Sequence, residues 1–145
     1  MEDLTILSPE FKDGDFIPDK YTCNGEDISP PLEIKDLPDN TQSIVIIMDD
    51  PGAPVGLFTH WLVWDLDKLS QVEAGLDHAF MGKNDFGTSA YRGPCPPSGT
   101  HRYFFRVYAL DSRIELTKGS SRQDLENKMK GKILAEGQLM GKYSR

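Results

Sequence analysis

Apolar and polar positions alternate or run together in three segments, residues 43–50, 59–66 and 101–110, each rich in β-branched and aromatic side chains. That pattern predicts strands. The first is apolar on both faces and is expected at the centre of a sheet. Further on, Ser120-Ser121-Arg122-Gln123 has the form of a capping box, and Leu125, Met129 and Ile133 recur at four-residue spacing, which predicts one short helix. Residues 134–143 read as a last strand, weakened by Gly137 and Gly141. Pro and Gly break the rest of the chain at short intervals, as in Asp50-Pro51-Gly52 and Gly93-Pro94-Cys95-Pro96-Pro97, which suits strands joined by loops. No repeat or linker-like stretch interrupts this pattern. The fold class read from it is mainly β, in one domain over residues 1–145.

Alternate residues of a strand share a face, so each segment divides into two rows. Ile44, Ile46, Met48 and Asp50 form one row; His60, Leu62, Trp64 and Leu66 a second; His101, Tyr103, Phe105 and Val107 a third. Each is apolar with polar residues at one end. Asp50 closes its strand, whereas His60 and His101 open theirs. If the first strand runs antiparallel to the other two, all the polar ends meet at one edge, above an apolar floor. Taken singly, each residue also has an ordinary structural explanation. Asp50 before Pro51 suits a turn, Tyr103 suits a core aromatic, and either histidine could be a surface or core residue. Residues 84–100 form a long, proline-stiffened loop that leads into His101, either as a wall of the pocket or as a rigid connector.

The net charge of −7 makes nucleic acid and anionic membrane surfaces poor partners, so any anion must be held by local groups. The longest apolar stretch, residues 44–48, cannot insert across a bilayer. The acidic start Met1-Glu2-Asp3-Leu4 does not resemble a signal peptide, and a cytoplasmic location is the default expectation. Cys23 and Cys95 lack the paired spacing of a zinc site. They read as reduced buried thiols or as a single bridge of the kind found in intracellular proteins of extreme thermophiles.

Three chemistries compete for these residues. Two imidazoles and a phenol donate to phosphate-like oxygens while Asp50 orients one imidazole, which describes a binding module that needs no cofactor. Cys95 or Ser98 with His101 or His60 and Asp50 has the composition of a hydrolytic triad, but there is no GxSxG elbow. Asp50, His60, Cys95 and His101 could ligate zinc, although neither HxxxH nor CxxC spacing is present. The binding module, with no catalytic residue and no metal, is the expected function.

Five ordered motifs carry a resemblance. They are Tyr21-Thr22-Cys23-Asn24-Gly25 with Asp27-Ile28-Ser29-Pro30-Pro31-Leu32; Asp50-Pro51-Gly52-Ala53-Pro54; His60-Trp61-Leu62-Val63; residues 93–103 from Gly93 to Tyr103; and Ile133-Leu134-Ala135-Glu136 with Gly141-Lys142-Tyr143. Together they resemble the phosphatidylethanolamine-binding proteins, in the prokaryotic branch called Raf kinase inhibitor-like. The resemblance implies a β-sandwich of two antiparallel sheets in a Greek-key arrangement. It implies an anion pocket at Asp50, His60, His101 and Tyr103, with Tyr91, Cys95 and Pro97 beside them, and a kinase or protease as a partner. A homodimer is compatible with the sequence, and no oligomeric state follows from it. Gly52 stands where eukaryotic members carry a second Asp, and Phe58 where they carry Trp. The chain ends at Arg145, short of the carboxy-terminal helix that borders the eukaryotic pocket, so regulation through that helix is not carried over.

Overall fold

A computed structural model describes residues 2–145. Its strands are β1 (Glu2–Asp3), β2 (Thr5–Leu7), β3 (Leu32–Lys35), β4 (Ser43–Ala53), β5 (Gly56–Leu66), β6 (Gln71–Val72), β7 (Phe80–Met81), β8 (Thr100–Leu110) and β9 (Ile133–Ser144). One α-helix, α1 (Arg122–Met129), precedes β9. The large sheet has the order β1-β9-β8-β4-β5-β7 and the small one β2-β3-β6, so the expected two-sheet, mainly β architecture is present. β4 turns by hairpin into β5, and the chain then crosses to lay β8 on the other side of β4. β4 is antiparallel to both neighbours, the condition for gathering the polar strand ends. The edge pair β1 and β9 is parallel, a departure from a purely antiparallel sheet.

Burial on both faces puts β4 in the middle of the large sheet. Ile44, Ile46 and Met48 face the small sheet and pack with Phe105, Val107 and Leu139, forming the inter-sheet core. Val45 and Ile47 face the other way and pack with Leu62, Trp64 and the helix residues Leu125 and Met129. The helix therefore covers the outer face of the large sheet. Its cap lies one residue later than the sequence pattern placed it. Ser121 accepts from Asp124 N–H at 3.1 Å, and Asp124 accepts in return from Ser121 N–H. Asp124, rather than Gln123, thus completes the box, because the first turn begins at Arg122.

β9 forms along its whole length in spite of its two glycines. The amino-terminal segment lies directly against it: Leu4 N–H donates to Glu136 O at 2.9 Å, and Ile17 N–H donates to Lys142 O at 2.8 Å. A Cβ at Gly137 would collide with the Leu4 carbonyl, and one at Gly141 with the Ile17 side chain. These glycines mark a close backbone approach, not the end of a strand.

The row His60, Leu62, Trp64 and Leu66 does not share a face, because β5 carries two irregularities. Met48 pairs with Trp61 and Asp49 with Thr59, which leaves His60 as an extra residue. Ile44 pairs with Leu66 and Ile46 with Val63, so Trp64 and Asp65 share the space opposite Val45. Asp65 takes a left-handed φ of 53° and accepts backbone N–H bonds from Ile114 and Glu115. An inserted residue reverses the alternation beyond it. Trp61 and Val63 consequently enter the inter-sheet core, while Leu62 and Trp64 turn to the helix.

Candidate anion site

The bulge at His60 and the ends of β4 and β8 bring Asp50, His60, His101 and Tyr103 to one cavity of about 270 Å³. His60 and Tyr103 stand edge to face with ring centroids 5.3 Å apart, and His101 stacks over Tyr103 at 6.4 Å. Cys95 and Pro97 also line the cavity, which makes the 84–100 loop a wall. Tyr91 does not line it. Its buried hydroxyl donates to Tyr21 O at 2.7 Å, holding the loop from behind.

Sequence reasoning missed most of the apolar lining, namely Ala53, Pro54, Val55, Phe86 and Pro96. Phe58, which it noted only as a departure from eukaryotic members, also lines the cavity and packs edge-on to both His60 and Phe86. Its position two residues before His60 on a strand was a usable signal, whereas nothing local marks Phe86.

Each imidazole is oriented by a fixed acceptor. His101 Nδ1 donates to Asp50 Oδ2 at 2.6 Å, and Asp50 Oδ1 accepts from Gly52 N–H at 2.9 Å. His101 Nε2 lies 3.2 Å from the Ser98 carbonyl. Both of its ring nitrogens are therefore engaged within the protein. His60 Nδ1 donates to Arg92 O at 2.7 Å, which leaves its Nε2 as the free nitrogen. Burial pushes the His60 pKa down from the usual histidine value, against the opposing pull of the Arg92 carbonyl and the Asp50 and Asp27 carboxylates. Burial and the nearby Asp50 charge push the Tyr103 phenol well up, so it stays a donor. Among the described residues lining the cavity there is no Lys or Arg.

Cys23 and Cys95 form a disulfide with 5.5 Å between their Cα atoms, which corrects the reduced-thiol reading. The bridge ties the segment after the short 3-10 turn at Asp19–Tyr21 to the pocket wall. It also removes Cys95 as a nucleophile or zinc ligand in this state. Ser98 meets His101 through its carbonyl, not its hydroxyl. Neither triad candidate is therefore assembled, and among the described residues no three His, Cys, Asp or Glu side chains cluster as metal ligands. No helix is long and apolar enough to cross a membrane.

With this geometry in view, comparison with known proteins is decisive for the family. The model of the family described as phosphatidylethanolamine-binding protein matches residues 7–144. The chain belongs to the phosphatidylethanolamine-binding protein family. A UPF0098 protein of Pyrococcus horikoshii is 46% identical over 150 residues, covering 96% of this chain and 76% of that protein. A UPF0098 protein of Aquifex aeolicus is 47% identical over 156 residues, covering 98% and 89%. Among solved structures, a phosphatidylethanolamine-binding protein homologue from Chlamydia trachomatis superposes with a TM-score of 0.94 at 38% identity, covering 100% of this chain and 99% of that one. YbcL of E. coli, described as a new member of the mammalian family, superposes at 0.90 with 25% identity and 99% coverage of both chains. Family membership makes the chain a ligand-binding module.

Proposed function

We propose that the chain is a non-catalytic binding module whose cavity takes a small phosphate-like anion, free or as the head of a molecule with an apolar body. The observation that carries this reading is the convergence of His60, His101 and Tyr103 on one cavity whose remaining lining is almost wholly apolar. Tyr103 donates through its hydroxyl, and His60 Nε2 donates once protonated. Asp50 holds His101 in place and brings a carboxylate to the cavity, so the site suits an anion of low charge better than a highly charged polyanion. The mouth, formed by Pro54, Val55, Phe58 and Phe86, suits an apolar substituent, as a phospholipid headgroup would present.

The inhibitor role that the resemblance suggests needs a partner surface. Val55 and Leu57, exposed at the tip of the β4–β5 hairpin beside the mouth, are the apolar positions available for one.

The test is calorimetric titration with sulfate, inorganic phosphate and phosphorylethanolamine, together with crystals soaked in each. Density beside His60 and His101, and one binding site per chain, is the expected result. Absence of binding by all three, or turnover of model esters or phosphate esters, overturns the reading.

A further inference from the structure

His60 reaches the cavity only because it is the extra residue of a bulge, and that bulge is gripped from the far side of the sheet. Thr59, immediately before it, is buried and points away from the cavity. Its Oγ1 accepts from Nη1 of Arg122, the first residue of α1, at 3.0 Å. The same Nη1 lies 3.0 Å from Oδ2 of Asp49, the residue paired with Thr59 across β4 and β5. Asp49 is wholly buried and also holds Arg106 in a two-pronged pair, at 3.0 Å to Nε and 3.1 Å to Nη2. Arg122 Nε is buried without an acceptor, Glu126 lying 3.8 Å away, so Nη1 makes this side chain's contacts with the sheet.

The backbone of Thr59 is held as well. Its N–H donates to Asp85 Oδ2 at 2.7 Å, and its carbonyl accepts from Asp85 N–H at 2.9 Å. Asp85 precedes Phe86, whose ring stands edge-on to His60 at 5.3 Å. One buried threonine thus joins the helix, the two central strands and the cavity wall next to the bulged histidine.

We propose that Arg122 is a positioning residue for the anion cavity: by binding Thr59 and Asp49 together on the outer face of the sheet, it fixes the bulge that turns His60 inward. A bulge has alternative registers, and a slip of one residue would send His60 to the opposite face, where Leu62 and Trp64 lie. The Arg122 bridge holds Asp49 and Thr59 opposite each other, which excludes that slip. The affinity part of the proposal rests on the anion-binding reading. The orientation of His60 does not.

The test compares Arg122→Met, Arg122→Lys and Thr59→Val. Histidine resonances are followed by NMR through a pH titration without ligand, then sulfate affinity is measured by calorimetry. Thr59→Val removes only the hydroxyl and leaves Asp49 with both its arginines. The groups that face His60 from other elements, Asp27, Asp50, Arg92, His101 and Tyr103, are unchanged in all three variants. Expected are a His60 titration moved toward the ordinary histidine value in Arg122→Met and Thr59→Val, a smaller move in Arg122→Lys, and no move at exposed His78. Sulfate affinity should fall by about tenfold or more, the order of one lost hydrogen bond to a charged group. A lower Tm with the His60 titration and sulfate affinity unchanged would show a merely structural role and overturn the proposal. If Arg122→Met does not fold, Thr59→Val decides. If the wild type binds none of sulfate, phosphate and phosphorylethanolamine, the anion reading fails and the ligand-free His60 titration still decides the positioning role.

Discussion

Sulfate binding should be coupled to protonation of His60, and the coupling follows from which ring nitrogen is free. Nδ1 is committed to the Arg92 carbonyl, so the neutral ring presents Nε2 to the cavity as an acceptor. An acceptor repels a sulfate oxygen, whereas the protonated ring donates to it and adds a positive charge. Burial lowers the His60 pKa, so near pH 7 the ring of the free protein is neutral and an incoming anion must draw in a proton. One coupled proton changes affinity by up to tenfold per pH unit, about 1.4 kcal/mol, above the His60 pKa. Removing the donor altogether, as His60→Ala, should cost about 1.5–3 kcal/mol at low pH. Sulfate is the right probe because its own charge is constant over this range. The assay is calorimetry at two pH values on either side of neutrality, repeated in buffers of different ionisation heat to count the protons taken up. Stability of the free protein runs the opposite way with pH. A histidine with a lowered folded-state pKa leaves stability intact above the ordinary value near 6.5 and erodes it as pH falls below that value. Added sulfate should offset part of that erosion. Sulfate affinity that does not vary with pH, or a pH dependence that survives in His60→Ala, would refute the reasoning.

Three further outcomes follow from the geometry. Tyr103→Phe, which removes the phenol donor from the cavity, should weaken sulfate binding by about 1.5–3 kcal/mol, whereas His78→Ala, at an exposed histidine outside the cavity, should leave it unchanged in the same titration. Reduction of the Cys23–Cys95 bridge, which spans 72 residues of sequence, should cost on the order of 4 kcal/mol of stability by chain entropy. It should also lower sulfate affinity by freeing the Pro94–Pro97 wall, as measured by denaturant unfolding and calorimetry with and without reductant. Gly141→Ala places a methyl group against Ile17 and Phe11 and should destabilise by about 1–3 kcal/mol, read from the shift in unfolding midpoint at unchanged m-value.

The sequence alone determined the strands that build the site and the four residues at their polar ends. Period-two alternation is local information, and β8 obeys it from Tyr103 to Ala109. The helix was legible for the same reason, to within one residue at its cap. What the sequence could not decide is where alternation fails. The row through His60 named the right residue at the cavity, but the pattern assumed behind it does not exist, since Leu62 and Trp64 face the helix. A bulge is settled by what the opposing strand, Asp85 and Arg122 can bond to, and these partners lie 10 to 63 residues from the bulge residues they hold. The cysteine pairing, the apolar mouth around Phe86 and the reason for Gly137 and Gly141 belong to the same class. Each depends on a neighbour distant in sequence, and only closure of the two sheets around the inter-sheet core brings that neighbour into contact.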